Sequence, residues 1–391
     1  MSQHSFFPPQ RILMGPGPSD VHPRVLQALA RPTIGHLDPA FADLMEDIKG
    51  LLQYAFQTSN PLTMPVSAPG SAGMETCFVN LVEPGEQVIV CQNGVFGGRM
   101  RENVLRIGAE PIMVHDAWGE AVDPQKLEDA LKQHPRARVV AFVHAETSTG
   151  VQSDAETLCR LAQQYDCLTI VDSVTSLAGT PVKVDEWGCD ATYSGTQKCL
   201  SCTPGLSPVS FSEKAQQRIR QRQVPVQSWF LDLNLVMGYW GSDSKRSYHH
   251  TAPINALYGL HESLVMLREE GLEQSWARHA RMHQSLKAGL EAMGLSLPVA
   301  VGQRLPQLNA VSIPDGVDEA RVRSRLLTAY GLEIGAGLGD LAGKIWRIGL
   351  MGQSANIRNI LYCLSALEAV LCEQGQDLAR GQAVAAAVEA A

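Results

Sequence analysis

The sequence has no apolar run approaching the roughly 18 residues that a membrane-spanning helix requires, so we expect no transmembrane segment. Its first residues, MSQHSFFPPQRILMGPG, lack the apolar core of a secretory signal peptide. No long run of Lys and Arg is present, and the net charge is −8. These absences argue against nucleic acid or a membrane as partners and predict a cytoplasmic protein.

Clustered cysteines are also missing. The nine Cys residues are dispersed, and the one C-x-x-C spacing joins Cys199 to Cys202 without further metal ligands nearby. An odd number of scattered thiols is typical of a reducing compartment. We therefore predict no metal site and no disulfide framework.

Strand-like and helix-like segments alternate through the first half of the chain. Short β-rich runs at 87–91, 111–114, 139–144 and 168–172 are separated by helical patterns such as 124–134 and 155–165. Apolar strands between amphipathic helices predict an α/β fold with a mostly parallel sheet covered on both faces.

The second half has a different pattern. Residues 229–250 are aromatic and predict turns, and 254–294 predict a long helical region. Strand patterns at 310–313 and 345–348, with helical patterns at 318–330 and 357–374, then predict a smaller α+β domain. The predicted organisation is an N-terminal extension (1–20), a large domain (21–270) and a small C-terminal domain (271–391).

Lys198 ends the small, polar segment YSGTQK at 193–198. A lysine is usually a solvated surface residue, but a lysine in a tight polar pocket can lose its proton and form an imine. Asp172 ends an apolar strand, where ligands bind in open α/β sheets, although an Asp there can also cap a helix. Together the two residues predict a site for pyridoxal 5′-phosphate (PLP).

Three further segments support an anionic, planar ligand. The turn SAPGSAG at 67–73 precedes a helix predicted to start near Ala72, whose amides suit a phosphate. Phe96, predicted in a Gly-flanked loop, is able to stack on a planar ring or simply fill the core. Arg347, in a predicted strand, suits a carboxylate, with a surface ion pair as the alternative.

These segments together resemble the class V aminotransferases of PLP fold type I, in the alanine–glyoxylate and serine–pyruvate group. The resemblance covers about residues 15–352. Its most specific motifs are GPGPS at 15–19, VDSVTSLAGTPV at 171–182, YSGTQK at 193–198, WGSDSKRSYHHT at 240–251 and GKIWRIGLMG at 343–352.

The resemblance implies a role for each matching residue. Lys198 is the Schiff-base lysine, and Asp172 is the partner of the pyridine nitrogen. Gly70 and Ser71 form the phosphate turn, while Phe96, Thr147 and Gln197 contact the cofactor ring. Tyr248 and Thr251 reach the phosphate of the neighbouring subunit in a homodimer. Arg347 and Gly17 belong to the substrate-binding part of the site.

Two departures from the family pattern lie in this site. The phosphate turn reads SAPGS at 67–71 where relatives read SGSGH, so Pro69 removes a hydroxyl and an N–H. Phe96 stands where the animal enzymes carry the stacking Trp, which keeps a ring and removes the indole N–H.

The resemblance implies transamination between a small amino acid, alanine or serine, and glyoxylate or pyruvate. Ureidoglycine–glyoxylate aminotransferases are similar, but they read NHHTE where this chain reads YHHTAP at 248–253. Pyridoxamine–pyruvate aminotransferase is similar at 314–319 and in the tail 375–391, whereas the Tyr248 and Thr251 pair favours a phosphorylated cofactor. A non-catalytic PLP-binding protein is the remaining alternative.

Overall fold

The computed structural model of the chain describes residues 5–240 and 247–391. Its strands, in chain order, are β1 (Ile12–Leu13), β2 (Leu62–Val66), β3 (Gln87–Gln92), β4 (Glu110–His115), β5 (Ala137–Val143), β6 (Ala145–Glu146), β7 (Val151–Gln152), β8 (Leu168–Asp172), β9 (Ala191–Tyr193), β10 (Ser207–Phe211), β11 (Leu308–Ser312), β12 (Leu332–Glu333), β13 (Gly335–Ala336) and β14 (Ile345–Gly349). Its helices are α1 (Pro23–Leu29), α2 (Pro39–Phe56), α3 (Gly70–Leu81), α4 (Val95–Ile107), α5 (Pro124–Gln133), α6 (Ala155–Gln164), α7 (Val184–Trp187), α8 (Glu213–Arg220), α9 (Leu233–Trp240), α10 (Ile254–Glu270), α11 (Leu272–Ala292), α12 (Glu319–Tyr330), α13 (Ile357–Glu373) and α14 (Gln382–Glu389).

Seven strands form the central sheet, in the order β2-β10-β9-β8-β5-β3-β4. β10 runs antiparallel to both of its neighbours, and all the other pairs in this sheet are parallel. The predicted runs at 87–91, 111–114, 139–144 and 168–172 correspond to β3, β4, β5 and β8. The predicted α/β class with a mostly parallel sheet is confirmed, and the carboxyl ends of the parallel strands lie along one edge.

The apolar core divides into two main clusters. One surrounds the central sheet and contains residues such as Phe142, Ile170 and Phe211. The other packs α11–α14 against the three-stranded sheet β11-β14-β13, with Trp346 fully buried. Met14 also belongs to this second cluster, although it lies near the N-terminus, directly before the motif GPGPS. The predicted division at residues 1–20, 21–270 and 271–391 stays a prediction.

After the sheet, the prediction of turns is wrong in part, and the predicted long helical region is confirmed. The stretch 229–250 is not only turns, because α9 occupies Leu233–Trp240, and residues 241–246 of the motif at 240–251 lie outside the described residues. The helical region at 254–294 is two helices, separated at Gly271. Gly271 has a φ of +89°, a left-handed conformation that ends the hydrogen-bond ladder of α10 and suits glycine.

The structure also bears on membrane spans and metal sites. Within residues 5–240 and 247–391, no helix has the length and apolarity needed to cross a bilayer. The same residues contain no group of three or more His, Cys, Asp or Glu side chains arranged to hold a metal ion.

Candidate active site

Seven of the predicted site residues meet at the carboxyl edge of the central sheet. Asp172 is the last residue of β8, and Lys198 follows β9, the parallel neighbour of β8. A cavity of about 180 Å³ opens there. Its walls include these predicted residues: Gly70, Ser71, Phe96, Thr147, Asp172, Gln197 and Lys198.

Lys198 is a half-buried residue of the cavity wall, so the alternative of a solvated surface lysine is wrong. Its Nζ donates a hydrogen bond to the carbonyl oxygen of Pro16. Burial, and then the positive charge of Arg347, lower the pKa of the Lys198 amine to about 8. The lowered pKa increases the neutral fraction of this amine near neutral pH, and the neutral amine is the form that makes an imine.

Gly17 lies directly against the lysine amine. Its φ is +109°, and a Cβ added there would lie 2.6 Å from Nζ of Lys198. The backbone conformation requires glycine at this position, and a larger residue would displace the flexible end of Lys198. The structure therefore brings Gly17 to the site as part of the wall that confines Lys198.

Asp172 is 3% exposed, and both of its carboxylate oxygens accept hydrogen bonds. Oδ1 accepts from the Val174 N–H at 2.9 Å, and Oδ2 accepts from the Tyr193 hydroxyl at 2.7 Å. Burial raises the pKa of this carboxyl to about 6, while the two donors oppose the shift. The Val174 bond resembles a cap, but the next helix, α7, begins only at Val184, so Asp172 is not a helix cap.

The predicted phosphate turn lies at the N-terminus of α3. The helix begins at Gly70, two residues before the predicted start at Ala72, and Pro69 occupies the cap position. No side chain caps its first turn. The amides of this turn are consequently able to bind an anion, and the helix dipole favours negative charge there. The loss of a hydroxyl at Pro69 leaves this backbone arrangement in place.

Phe96 is in the first turn of α4, so the predicted loop is wrong. Two side chains from the β6 region cap this helix in place of its own cap residue, Gly94. Ser148 Oγ accepts from Val95 N–H at 3.0 Å, and the buried Glu146 accepts from Phe96 N–H at 3.2 Å. The helix thereby fixes the partly buried Phe96 ring at the cavity.

Arg347 comes from β14 and is 6% exposed, so the alternative of a surface ion pair is wrong. Its Nε donates to the Ala336 carbonyl at 2.6 Å and its Nη1 to the Thr147 carbonyl at 3.1 Å. Burial lowers the pKa of the guanidinium to about 10, still well above neutrality. Among residues 5–240 and 247–391, no carboxylate forms an ion pair with it, which suits a group that binds the carboxylate of a ligand.

Tyr248 and Thr251 are not brought to the cavity of their own chain. Tyr248 is 60% exposed, and its hydroxyl lies 3.4 Å from Thr251 Oγ1. Neither residue contributes to the cavity wall. This position agrees with the expectation that the pair serves another subunit, which one chain alone does not test.

The cavity residues fit PLP. The buried Oε1 of Gln197 has no hydrogen-bond partner in the described structure, as expected of an atom that faces a polar ligand. Lys198 supplies an amine for the aldehyde, Asp172 a carboxylate for the ring nitrogen, and the first turn of α3 an anion site for the phosphate. Phe96 supplies an aromatic face for the ring.

Three residues of the site were missed by sequence reasoning. Tyr193 binds Asp172, Glu146 caps α4, and the Arg99 guanidinium lies 4.7 Å from the centre of the Phe96 ring. Tyr193 opens the segment YSGTQK, and Glu146 directly precedes the predicted cofactor contact Thr147. Arg99 is three residues after Phe96, a spacing that places it on the same helical face once α4 is recognised.

Comparison with known proteins identifies the family. The class V aminotransferase profile matches residues 23–347. An alanine–glyoxylate aminotransferase from Oryctolagus cuniculus is 41% identical over 94% of this chain and 95% of its own length. The match to this relative covers almost the full length of both proteins.

Solved structures agree with the sequence match. The crystal structure of an alanine–glyoxylate aminotransferase from Nostoc sp. has a TM-score of 0.93 and 45% identity, covering 95% of this chain and 98% of that one. The crystal structure of a ureidoglycine–glyoxylate aminotransferase from Bacillus subtilis has a TM-score of 0.97 and 38% identity, covering 99% of both chains. With its cofactor-site residues Asp172 and Lys198 in one cavity and these relatives along its length, the chain belongs to the class V aminotransferase family, of PLP fold type I.

Proposed function

We propose that this aminotransferase moves the amino group of a small amino acid, alanine or serine, to glyoxylate or pyruvate. The observation that carries the proposal is the buried Arg347 guanidinium beside Lys198, without an ion-pair partner in the described chain. Donor and acceptor each carry one α-carboxylate that this group is able to bind.

PLP, when bound, supplies an aldehyde that condenses with amines and a ring that withdraws electrons from the substrate carbon. Lys198 Nζ is the amine of the chain that binds this aldehyde. As a free amine beside the substrate, Lys198 Nζ would take the proton from the substrate α-carbon and release it again within the same site. A pKa of about 8 suits both directions of this transfer.

The other residues orient the reaction. The ionised Asp172 carboxylate holds the ring nitrogen in its protonated form. Arg347 would bind the substrate carboxylate and so limit the orientations that the substrate adopts near Lys198. The Pro16 carbonyl accepts from Lys198 Nζ and keeps the amine at the cavity wall. The same residues serve the donor and the acceptor, so the two half-reactions alternate at one site.

A kinetic assay tests the substrates. Purified enzyme with PLP is assayed with L-alanine and glyoxylate, and with L-serine or L-aspartate and either glyoxylate or pyruvate, with Lys198→Ala as the control. We expect turnover with alanine or serine, parallel lines in double-reciprocal plots, and little turnover with aspartate. Turnover with none of these small donors would contradict the proposal.

Ureidoglycine–glyoxylate transamination is the second candidate, favoured by the TM-score of 0.97 with the Bacillus subtilis enzyme. Pyridoxamine–pyruvate transamination is a third, from the resemblance at 314–319. The assay therefore includes freshly prepared ureidoglycine with glyoxylate, and pyridoxamine with pyruvate. A specificity constant kcat/KM higher for either pair than for alanine and serine would replace the first candidate.

We also propose a homodimer in which Tyr248 and Thr251 bind the cofactor phosphate of the partner subunit. Their exposure outside the cavity of their own chain supports this arrangement. Mixing Lys198→Ala and Tyr248→Phe chains tests it, because a mixed dimer then contains one site with both native residues. We expect the mixture to bind PLP more tightly, per intact Lys198, than Tyr248→Phe alone. If the mixture bound PLP no more tightly than Tyr248→Phe alone, Tyr248 would belong to the site of its own chain.

A further inference from the structure

The Tyr193 hydroxyl donates a hydrogen bond to Oδ2 of Asp172 at 2.7 Å. Tyr193 is fully buried, yet its ring reaches the cavity that Asp172 and Lys198 also line. Tyr193 and Asp172 are register partners in the parallel pair β8 and β9, so their side chains project from the same face of the sheet. The contact is therefore built into the pairing of two central strands.

Neighbouring elements hold Tyr193 in place. Its carbonyl oxygen accepts from both the N–H and the hydroxyl of Ser173, at 2.9 Å each. On the other side, Val209 of β10 pairs with it. Gly73 of α3 packs so closely that an added Cβ would lie 3.3 Å from Cβ of Tyr193. The phenol consequently has little freedom to leave Asp172.

The Tyr193 hydroxyl and the Val174 N–H donate to different oxygens of the Asp172 carboxylate. Val174 N–H binds Oδ1 and Tyr193 binds Oδ2, so the plane of the carboxylate is fixed. Each oxygen keeps a second lone pair for a cation in the cavity. Burial raises the pKa of Asp172, and the Tyr193 hydrogen bond is the strongest interaction that opposes it. Burial and the nearby carboxylate raise the pKa of the phenol itself, so it remains a donor at neutral pH.

We propose that Tyr193 is a positioning residue, which keeps Asp172 ionised and correctly oriented to bind the protonated ring nitrogen of the cofactor. This inference rests on the cofactor site of the proposed function and does not depend on which amino acid reacts. If Tyr193 had a purely structural role, removing its hydroxyl would change neither the titration of Asp172 nor the affinity for PLP.

Tyr193→Phe removes the hydroxyl and keeps the ring. Tyr54→Phe is the matched control, because Tyr54 also uses its hydroxyl in one hydrogen bond, from Leu272 N–H at 3.0 Å, away from the site. The full-length chains are labelled with [13C]aspartate, and Asp172→Asn assigns the Asp172 signal. The carboxyl is titrated by NMR without cofactor, and PLP affinity is measured by equilibrium dialysis.

We expect the Asp172 titration to move to higher pH in Tyr193→Phe, since a donor to the ionised form has been removed. We expect PLP affinity to fall about ten-fold, and the acid limb of the kcat–pH profile to move upward with it. In Tyr54→Phe, the three quantities should match the wild type. An unchanged Asp172 titration with unchanged PLP affinity in Tyr193→Phe would overturn the proposal.

The wild-type chain gives a second test that needs no variant to fold. Its Asp172 must be mainly ionised at pH 7.5 in the cofactor-free protein, and a protonated Asp172 at that pH would also overturn the proposal. The two proposals fail under different results. If the wild type turned over none of the proposed amino donors but bound PLP and titrated at Asp172 as expected, the proposed function would be wrong and the role of Tyr193 would stand.

Discussion

Lys198 donates its hydrogen bond to the carbonyl oxygen of Pro16, a residue 182 positions earlier in the chain. The same N-terminal segment binds the backbone on both sides of this lysine, since Ser19 Oγ donates to the Lys198 carbonyl at 2.7 Å and Ser19 N–H to the Gln197 carbonyl at 2.9 Å. The motif GPGPS at 15–19 therefore packs directly against Lys198. Its prolines and glycine give a turn whose carbonyl faces the amine.

Gly17→Ala tests whether this wall controls the lysine. The added Cβ would lie 2.6 Å from Nζ, and alanine does not readily adopt a φ of +109°. We expect PLP to bind at least about ten-fold more weakly, because the amine must move from its position. The binding is measured from the visible absorbance of the enzyme–cofactor imine.

Gly35→Ala is the control for that variant, since a Cβ at Gly35 would meet no atom within 4 Å. It should bind PLP like the wild type. If Gly17→Ala bound PLP as tightly as the wild type, the contact between Gly17 and Lys198 would not affect cofactor binding.

Arg347 is tested by a pair of variants with different charge and shape. Arg347→Gln removes the charge, and Arg347→Lys keeps it but loses the planar fork that binds two carboxylate oxygens. We expect KM for donor and acceptor to rise about 100-fold in Arg347→Gln and less in Arg347→Lys, because a buried charged contact to the carboxylate is lost. PLP affinity should change little in either variant; a loss of PLP affinity with unchanged KM would assign Arg347 to the cofactor.

Glu146→Gln tests the buried carboxyl that caps α4. Burial raises the pKa of Glu146 from 4.5 to about 7, so the folded protein holds this proton more tightly than the unfolded chain does. The stabilising effect of the proton is complete below pH 4.5 and is lost as the pH rises through 7. We expect the melting temperature of Glu146→Gln to depend less on pH in this window than that of the wild type, and identical pH profiles would contradict the assignment.

Phe96 is tested by its replacement with Leu and with Trp. Phe96→Leu keeps an apolar side chain but removes the aromatic face, and we expect roughly ten-fold weaker PLP binding by equilibrium dialysis. Phe96→Trp restores the ring found in the animal relatives and should bind PLP at least as well as Phe96. Equal affinity of the Leu variant and the wild type would mean that Phe96 only fills space.

Local patterns predicted much of the fold because the parallel strands are continuous apolar runs, as in Leu168–Asp172. They did not predict β10, whose sequence SPVSF is short and polar in part, since its place in the sheet depends on pairing with distant β2 and β9. Phe96 was assigned to a loop because Gly94 and Gly97 flank it. The helix there is stabilised by Glu146 and Ser148, which lie 50 and 53 positions from the residues they bind.

The site was predictable where one residue carries the chemistry, as with Lys198 and Asp172. It was not predictable where the role arises from a contact, as with Tyr193, whose hydroxyl meets Asp172 only because β8 and β9 are neighbours in register. Tyr248 and Thr251 illustrate the same limit at the level of the assembly. Their predicted role requires a second chain, and nothing local to their sequence fixes where that chain lies.

The most direct test of the account is to locate the amine that binds PLP. The enzyme loaded with PLP is reduced with borohydride, digested, and analysed by peptide mass spectrometry, with Lys198→Ala treated in parallel. We predict that the reduced cofactor is attached to Lys198 in the wild type, with no stoichiometric label in the variant. A label on another lysine, or an equal label in Lys198→Ala, would contradict the assignment of Lys198 as the cofactor-binding residue.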